Sequence, residues 1–306
     1  MKIAIVGAAG SVGAPAAFYL AAQGLADEVL MIGGSRQNVL KQHAMDIKTA
    51  VSNLGVRVYA GDFTDLSGSD IVINAAGVQQ GLIKDRMEML PKNISLVQTI
   101  ASHIKKYCPG AFVITATNPV DPLNYAVFKS TGFDRRQLIG YSINDSFRFR
   151  EMLAAELNVR PGQVDGVVIG EHGSTQVLLF SSATVDGKPV TVDEDTKQRI
   201  RSEVPNILKR YEELKAGRTA GWTCAIGLAR ILRAMIEGTG EVLPCSTMLD
   251  GEYGQSGLSM SVPVILGRGG VKEILEYELS PDEQKGLEIT VETLSKAKKI
   301  VDDQLA

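Results

Sequence analysis

Cysteine is scarce: three residues in 306, at Cys108, Cys224 and Cys245, with no CxxC pair among them. That spacing excludes a disulfide-stapled secreted scaffold and a cysteine-based zinc ribbon. It suits a reducing cytoplasm, with each cysteine read as a small core residue. No run of about 18 apolar residues occurs, so no membrane-spanning helix is expected. Basic residues (32) are outnumbered by acidic ones (35), giving a net charge of −3, and they form no block. Neither nucleic acid nor an anionic membrane is therefore expected as a partner. The opening MKIAIVGAAG lacks the unbroken apolar stretch of a secretion signal, because Gly7 and Gly10 interrupt it; a buried first strand explains it better. Internal repeats, low-complexity tracts and an obvious linker are absent as well.

What is present is a repeated alternation of short apolar strands and helices. Strands are expected at Lys2–Val6, Glu28–Ile32, Val56–Tyr59, Asp70–Asn74, Ala111–Thr115 and Gln137–Gly140, with helices such as Val12–Gln23, Val39–Ala50 and Met87–Lys106 between them. Continuous rather than alternating apolar strands, separated by helices, indicate an α/β fold with a doubly wound parallel sheet covered on both faces. After about Tyr141 the pattern becomes mixed α+β. A helix is expected around Asp145–Leu157 and a strand at Val164–Ile169. A hairpin follows through Asp186-Gly187, between Leu178–Val185 and Pro189–Val192. Helices are expected at about Glu194–Lys215 and Trp222–Glu237, a strand at Ser259–Leu266, and a C-terminal helix capped by Ser280 with Pro281 at its first position. The expected division is a dinucleotide-binding Rossmann domain over 1–141 and a substrate domain over 142–306.

The first strand runs into Gly7-Ala8-Ala9-Gly10-Ser11-Val12-Gly13 and then a helix. Such a turn lets backbone approach a pyrophosphate while the helix N-terminus offers free N–H groups. Taken alone, the same glycines also describe a tight turn with close helix–strand packing. At the end of the second strand, where an acidic residue would hold the ribose hydroxyls of NAD, the sequence reads Ile32-Gly33-Gly34-Ser35-Arg36. Without a carboxylate there, Ser35 and Arg36 can accept a 2′-phosphate through charge-assisted hydrogen bonds, which favours NADP and leaves NAD possible. The alternative is that Arg36 is a solvated loop residue.

Four further segments carry chemistry. Thr117-Asn118-Pro119-Val120-Asp121 follows the fifth strand, Asp145-Ser146-Phe147-Arg148 opens a helix, Gly170-Glu171-His172-Gly173 follows a strand, and Arg86 follows the loop from Gly77 to Asp85. Together with the glycine turn, in this order and spacing, they resemble the lactate/malate dehydrogenase family across essentially the whole chain. The resemblance implies a nicotinamide-dependent oxidoreductase acting on a small 2-hydroxy or 2-oxo acid. It implies that His172 transfers the hydroxyl proton and that Asp145 fixes the ring's tautomer and orientation. Arg148, three residues on, would clamp the substrate carboxylate with paired hydrogen bonds. Arg86 would polarise the carbonyl as its loop closes. Asn118 would face substrate or nicotinamide, and Asn93, Thr117, Ala76 and Gly77 the cofactor. By the same analogy the protein is a homodimer or homotetramer. His43 and His103 lie in helical patterns without partner motifs and read as structural.

Departures from the family pattern bear on substrate. Gln80 occupies the position that decides the substrate side chain, where malate-specific relatives place arginine and lactate-type relatives commonly place glutamine. That favours a monocarboxylate such as pyruvate or lactate, with malate dehydrogenase as the alternative and Lys84 as another possible source of positive charge. The Pro-Gly pair usual in the mobile loop is absent, and Asn144 stands before Asp145 where relatives commonly carry an apolar residue. Trp222 belongs either to the pocket wall or to core packing. A non-catalytic dinucleotide-binding redox sensor is the competing class, and loss of His172 or Arg148 would have pointed to it; both are present.

Overall fold

The computed structural model describes residues 1–78, 86–206, 210, 213–215 and 221–306, with Arg86 and Met87 described in their backbone. Among these, β1 (Lys2–Val6), β2 (Glu28–Ile32), β3 (Arg57–Gly61), β4 (Ile71–Asn74), β5 (Phe112–Thr115) and β6 (Leu138–Gly140) pair in parallel, in the order 3-2-1-4-5-6. This is the doubly wound order whose switch point lies between β1 and β4.

The continuous apolar runs are explained by what covers each face. Ile3, Ile5, Val29, Met31, Ile71 and Ile73 point into one core, against Ala16, Ala17 and Leu20 of α1 (Gly13–Ala22) and Leu40, Ala44 and Ile47 of α2 (Gln37–Ala50). Their chain neighbours Ala4, Val6, Leu30, Ile32 and Val72 point into the other, against α3 (Leu90–Tyr107) and α4 (Val120–Thr131). Period-two alternation survives, but both sides are apolar because both are buried.

The sheet does not stop at β6. It continues through antiparallel β12 (Val242–Asp250), β13 (Ser256–Gly267) and β14 (Gly270–Ile274), with Ser246 opposite Gly140. The two halves of the chain thus share one nine-stranded sheet, a continuation that the strand expected at Ser259–Leu266 foreshadows only in part.

Part of the second half surrounds a smaller core of Phe149, Leu153, Val168, Phe180 and Ile200, built from α5 (Asn144–Glu156), α6 (Glu194–Glu203) and the short strands between them. The remaining helices, α7 (Trp222–Glu237) and α8 (Pro281–Leu305), instead join the cores of the main sheet, through Leu228, Leu232 and Leu287 on one side and Ala297 and Val301 on the other. The single strand expected at Val164–Ile169 is two: β7 (Val164–Asp165) joins the hairpin of β10 (Thr184–Val185) and β11 (Lys188–Pro189), whereas β8 (Val168–Ile169) pairs with β9 (Val177–Leu178). The hairpin turns where expected, with positive φ at both Asp186 (48°) and Gly187 (74°). The helix expected to reach Lys215 is described as α6 to Glu203. Ser280 accepts from the Glu283 N–H while Glu283 bonds back to Ser280 N–H, a reciprocal cap on α8.

Candidate active site

The glycine turn follows from steric need. Gly7 has φ +86°, and a Cβ there would lie 2.6 Å from the Ala75 carbonyl carbon and the Ala76 nitrogen. Any side chain would push β1 away from the end of β4. The Gly7 and Ala8 N–H groups both donate to Ile32 O (2.8 and 3.0 Å), which tethers the turn to the end of β2. Among the described residues, the N–H groups of Ser11, Val12 and Gly13 have no acceptor in the protein. A helix N-terminus with these N–H groups above a close-packed glycine turn fits a pyrophosphate. At the end of β2 no carboxylate stands between Ile32 and Asn38, and Gln37 Nε2 bonds Gly33 O (3.1 Å) and Gly34 O (2.8 Å). Arg36 sits at the start of α2 and is exposed.

His172 follows β8, in a segment held to β13 by paired bonds between Gly170 and Ser261 (2.9 and 3.0 Å). Its ring Nδ1 lies 2.5 Å from Asp145 Oδ2. The other oxygen of Asp145, Oδ1, accepts from Arg148 Nη1 at 3.0 Å. One carboxylate in the first turn of α5 therefore orients both the histidine and the arginine. It is 3% exposed and His172 6%, so water competes little for either bond. Spacing of i, i+3 places Arg148 over Asp145, as expected of neighbouring turns. Arg150, by contrast, bonds Gly166 O (2.9 Å) and pairs with Asp165 (2.6 Å), a structural role.

His172 is held a second time. Its backbone N–H donates to Asp121 Oδ2 at 2.7 Å. Asp121 is buried in α4, and burial pushes its carboxyl up to about 7, against the opposing pull of bonds from Ser246 and the His172 N–H. Reading the segment Thr117–Asp121 as a motif did not single out this residue, because its partner lies 51 positions away.

The other expected residues divide. Asn118 follows β5, and its side-chain Oδ1 is buried without a partner among the described residues. Asn93, expected at the cofactor, bonds backbone with both ends of its amide: Oδ1 accepts from Val78 N–H (2.8 Å) and Nδ2 donates to Asn118 O (2.8 Å). It braces the floor on which Thr117 and Gly77 meet; a Cβ on Gly77 would lie 2.8 Å from Thr117 Oγ1. Trp222 is 71% exposed, so core packing is ruled out for it. It opens α7 immediately after Gly221, which touches Ser11 and Val12 of the glycine turn. Gln80, Lys84 and the side chain of Arg86 lie outside the described residues.

Comparison with known proteins agrees with this arrangement. The profile of the lactate/malate dehydrogenase NAD binding domain matches residues 1–140, and that of the family's alpha/beta C-terminal domain matches residues 144–304. The chain belongs to the lactate/malate dehydrogenase family. The malate dehydrogenase of Halobacterium salinarum is 34% identical over 297 residues, covering 96% of this chain and 97% of the relative. The L-lactate dehydrogenase of Halalkalibacterium halodurans is 33% identical over 298 residues, covering 96% and 95%. Among solved structures, the lactate dehydrogenase of Cryptosporidium parvum, complexed with lactic acid and nicotinamide adenine dinucleotide, superposes with a TM-score of 0.93 at 30% identity, covering 98% of each chain. The protein is a nicotinamide-dependent dehydrogenase of the 2-hydroxy-acid class. Among the described residues, no helix of this family member is long and apolar enough to cross a membrane.

Proposed function

We propose that this dehydrogenase interconverts a 2-hydroxy and a 2-oxo monocarboxylic acid of the lactate/pyruvate kind. The observation that carries the mechanism is the Asp145 carboxylate shared between His172 and Arg148. With Asp145 accepting from Nδ1–H, the second ring nitrogen of His172 is left basic. It takes the proton from the substrate hydroxyl and returns it in the reverse reaction. Arg148 holds the substrate carboxylate, and its bond to Asp145 fixes the guanidinium before substrate arrives. Asn118 supplies the buried amide oxygen that a cofactor N–H or the substrate hydroxyl would satisfy. The bound nicotinamide supplies or removes the hydride. Arg86 polarises the carbonyl in this reading, so residues 1–141 bind the cofactor and also lend Arg86 and Gln80 to the substrate, while residues 142–306 supply His172, Asp145 and Arg148.

The substrate choice rests on Gln80, whose neutral amide cannot pair with a second carboxylate, and burying that charge unpaired is costly. Steady-state rates with pyruvate and oxaloacetate test it. Pyruvate is expected to be preferred, and Gln80→Arg is expected to raise the oxaloacetate/pyruvate ratio of kcat/KM substantially. A strong native preference for oxaloacetate would point to malate dehydrogenase.

The cofactor choice rests on the residues that end β2. With Gly33 and Gly34 in place of a carboxylate and Arg36 beside them, NADPH is expected to be used at least as efficiently as NADH. A Cβ on Gly34 meets nothing within 4 Å, so Gly34→Asp fits without clash. It should shift preference toward NADH by repelling the 2′-phosphate. A native enzyme that strongly prefers NADH would mean that Ser35 and Arg36 do not reach the cofactor. A cytoplasmic homodimer or homotetramer goes with this reading, and solvent-facing Phe18, Met45 and Ile226 on α1, α2 and α7 are its candidate contacts. A monomeric mass by light scattering would rule the oligomer out.

A further inference from the structure

We infer that Asn144 is a positioning residue whose amide, with Tyr141 and Cys224, locks the catalytic helix α5 to the first turn of α7 and so sets the placement of Asp145 and Arg148. Asn144 is buried and directly precedes Asp145. Its Oδ1 accepts from the Tyr141 hydroxyl at 2.6 Å, and its Nδ2 donates to Cys224 Sγ at 3.3 Å. The Tyr141 hydroxyl also lies 3.1 Å from Thr223 O. It has one proton to give, and the shorter contact makes Asn144 its main acceptor. The amide therefore stands between a buried phenol rooted just after β6 and the first turn of α7.

Two close approaches make the lock stiff. A Cβ on Gly227 would collide with the Tyr141 hydroxyl oxygen, so α7 presses directly on that side chain. A Cβ on Gly221 would collide with Ser11 O, so the start of α7 is also seated on the glycine turn. The first turn of α7 is thus fixed on one side to the cofactor turn and on the other to Asn144. An apolar side chain at position 144 would fill the volume but could not fix the rotation of α5 about its axis. Two directional hydrogen bonds do fix it. That rotation governs where Asp145 meets His172 and where the Arg148 fork points.

This inference rests on reading Arg148 as the residue that holds the substrate carboxylate. Its predicted signature is a split between KM and kcat. Asn144→Leu is expected to raise KM for the 2-oxo acid by about 10-fold while kcat falls less than threefold, since His172 is also held independently of α5 through its N–H to Asp121. Cys224→Ala should reproduce part of that rise. Cys224→Ser, which keeps an acceptor for the amide, should return KM to within about threefold of the native value. Because the two residues act through one bond, Asn144→Leu combined with Cys224→Ala should raise KM by less than the product of the single effects. Cys224→Ala is a small change at a half-buried site and keeps the test available should Asn144→Leu fail to fold. Arg148→Gln serves as the reference. If it raises KM while both Asn144→Leu and Cys224→Ala leave KM within twofold, or if their effects multiply, the positioning role is overturned. If Arg148→Gln itself leaves KM unmoved, the reading of Arg148 falls and the positioning role falls with it.

Discussion

Turnover of the His172→Asn variant is expected to fall by about 10²–10⁴-fold, the usual contribution of a positioned acid–base group. The substitution is chosen to spare everything else. An asparagine amide can still donate toward Asp145, and the His172 backbone N–H that bonds Asp121 is unaffected. What disappears is the second ring nitrogen, the basic site that takes the substrate proton. Titration of the variant with reduced cofactor, followed by fluorescence, should give an affinity within twofold of native, since the glycine turn of β1 is untouched. A variant that kept near-full turnover would show that the proton travels by another route, and the mechanism would fail.

Arg148→Gln is expected to act chiefly on substrate affinity. Each charge-assisted hydrogen bond to a carboxylate is worth roughly 1.5–3 kcal/mol, or about 10- to 100-fold. Loss of a two-bond clamp should therefore raise KM for the 2-oxo acid by about 10²-fold or more. Arg148 also bonds Asp145 Oδ1 at 3.0 Å, so a smaller loss in kcat should accompany it as that carboxylate loses one of its partners. Arg148→Lys distinguishes charge from shape. It retains the cation without the planar fork, and an intermediate KM is expected. A KM unchanged in Arg148→Gln would assign the substrate carboxylate to a different residue.

The legibility of the chain differs from one element to the next for physical reasons. The six parallel strands were plain because burial on both faces leaves uninterrupted apolar runs such as Ile3–Val6 and Val29–Ile32. Strand β12 was not, because Ser246 and Thr247 interrupt its apolar run while being fully buried. Ser246 satisfies its hydroxyl against Ser259 of β13 at 3.0 Å, a partner that only the folded sheet supplies. In the site, the i, i+3 relation of Asp145 and Arg148 could be read from spacing, since a helix fixes it, whereas His172 was reached only through the family resemblance. Asp121 could not, because its bond to the His172 N–H joins distant segments. The same holds for the Tyr141–Asn144–Cys224 contacts, where the only signal was an unexpectedly polar residue before Asp145. For Trp222 the sequence leaves pocket wall and core packing open, and only the fold decides against the core. Apolar character predicts burial on average, and this ring is exposed at the start of α7.

The continuation of the sheet from β6 into β12 has a consequence for how such a chain can change over evolutionary time. Modules joined by a linker can be exchanged whole, each bringing its own core. Here the NAD binding domain ends on a strand whose outer edge is completed by the C-terminal domain at Gly140 and Ser246. The core behind it is also completed from the far C-terminus, by Ala297 and Val301 of α8. The NAD binding domain transplanted alone would carry an open, apolar strand edge and a bare patch of core. New specificities in this architecture are therefore acquired by substitutions at the ends of strands and in the loops between them. Trading one half for another is the harder path.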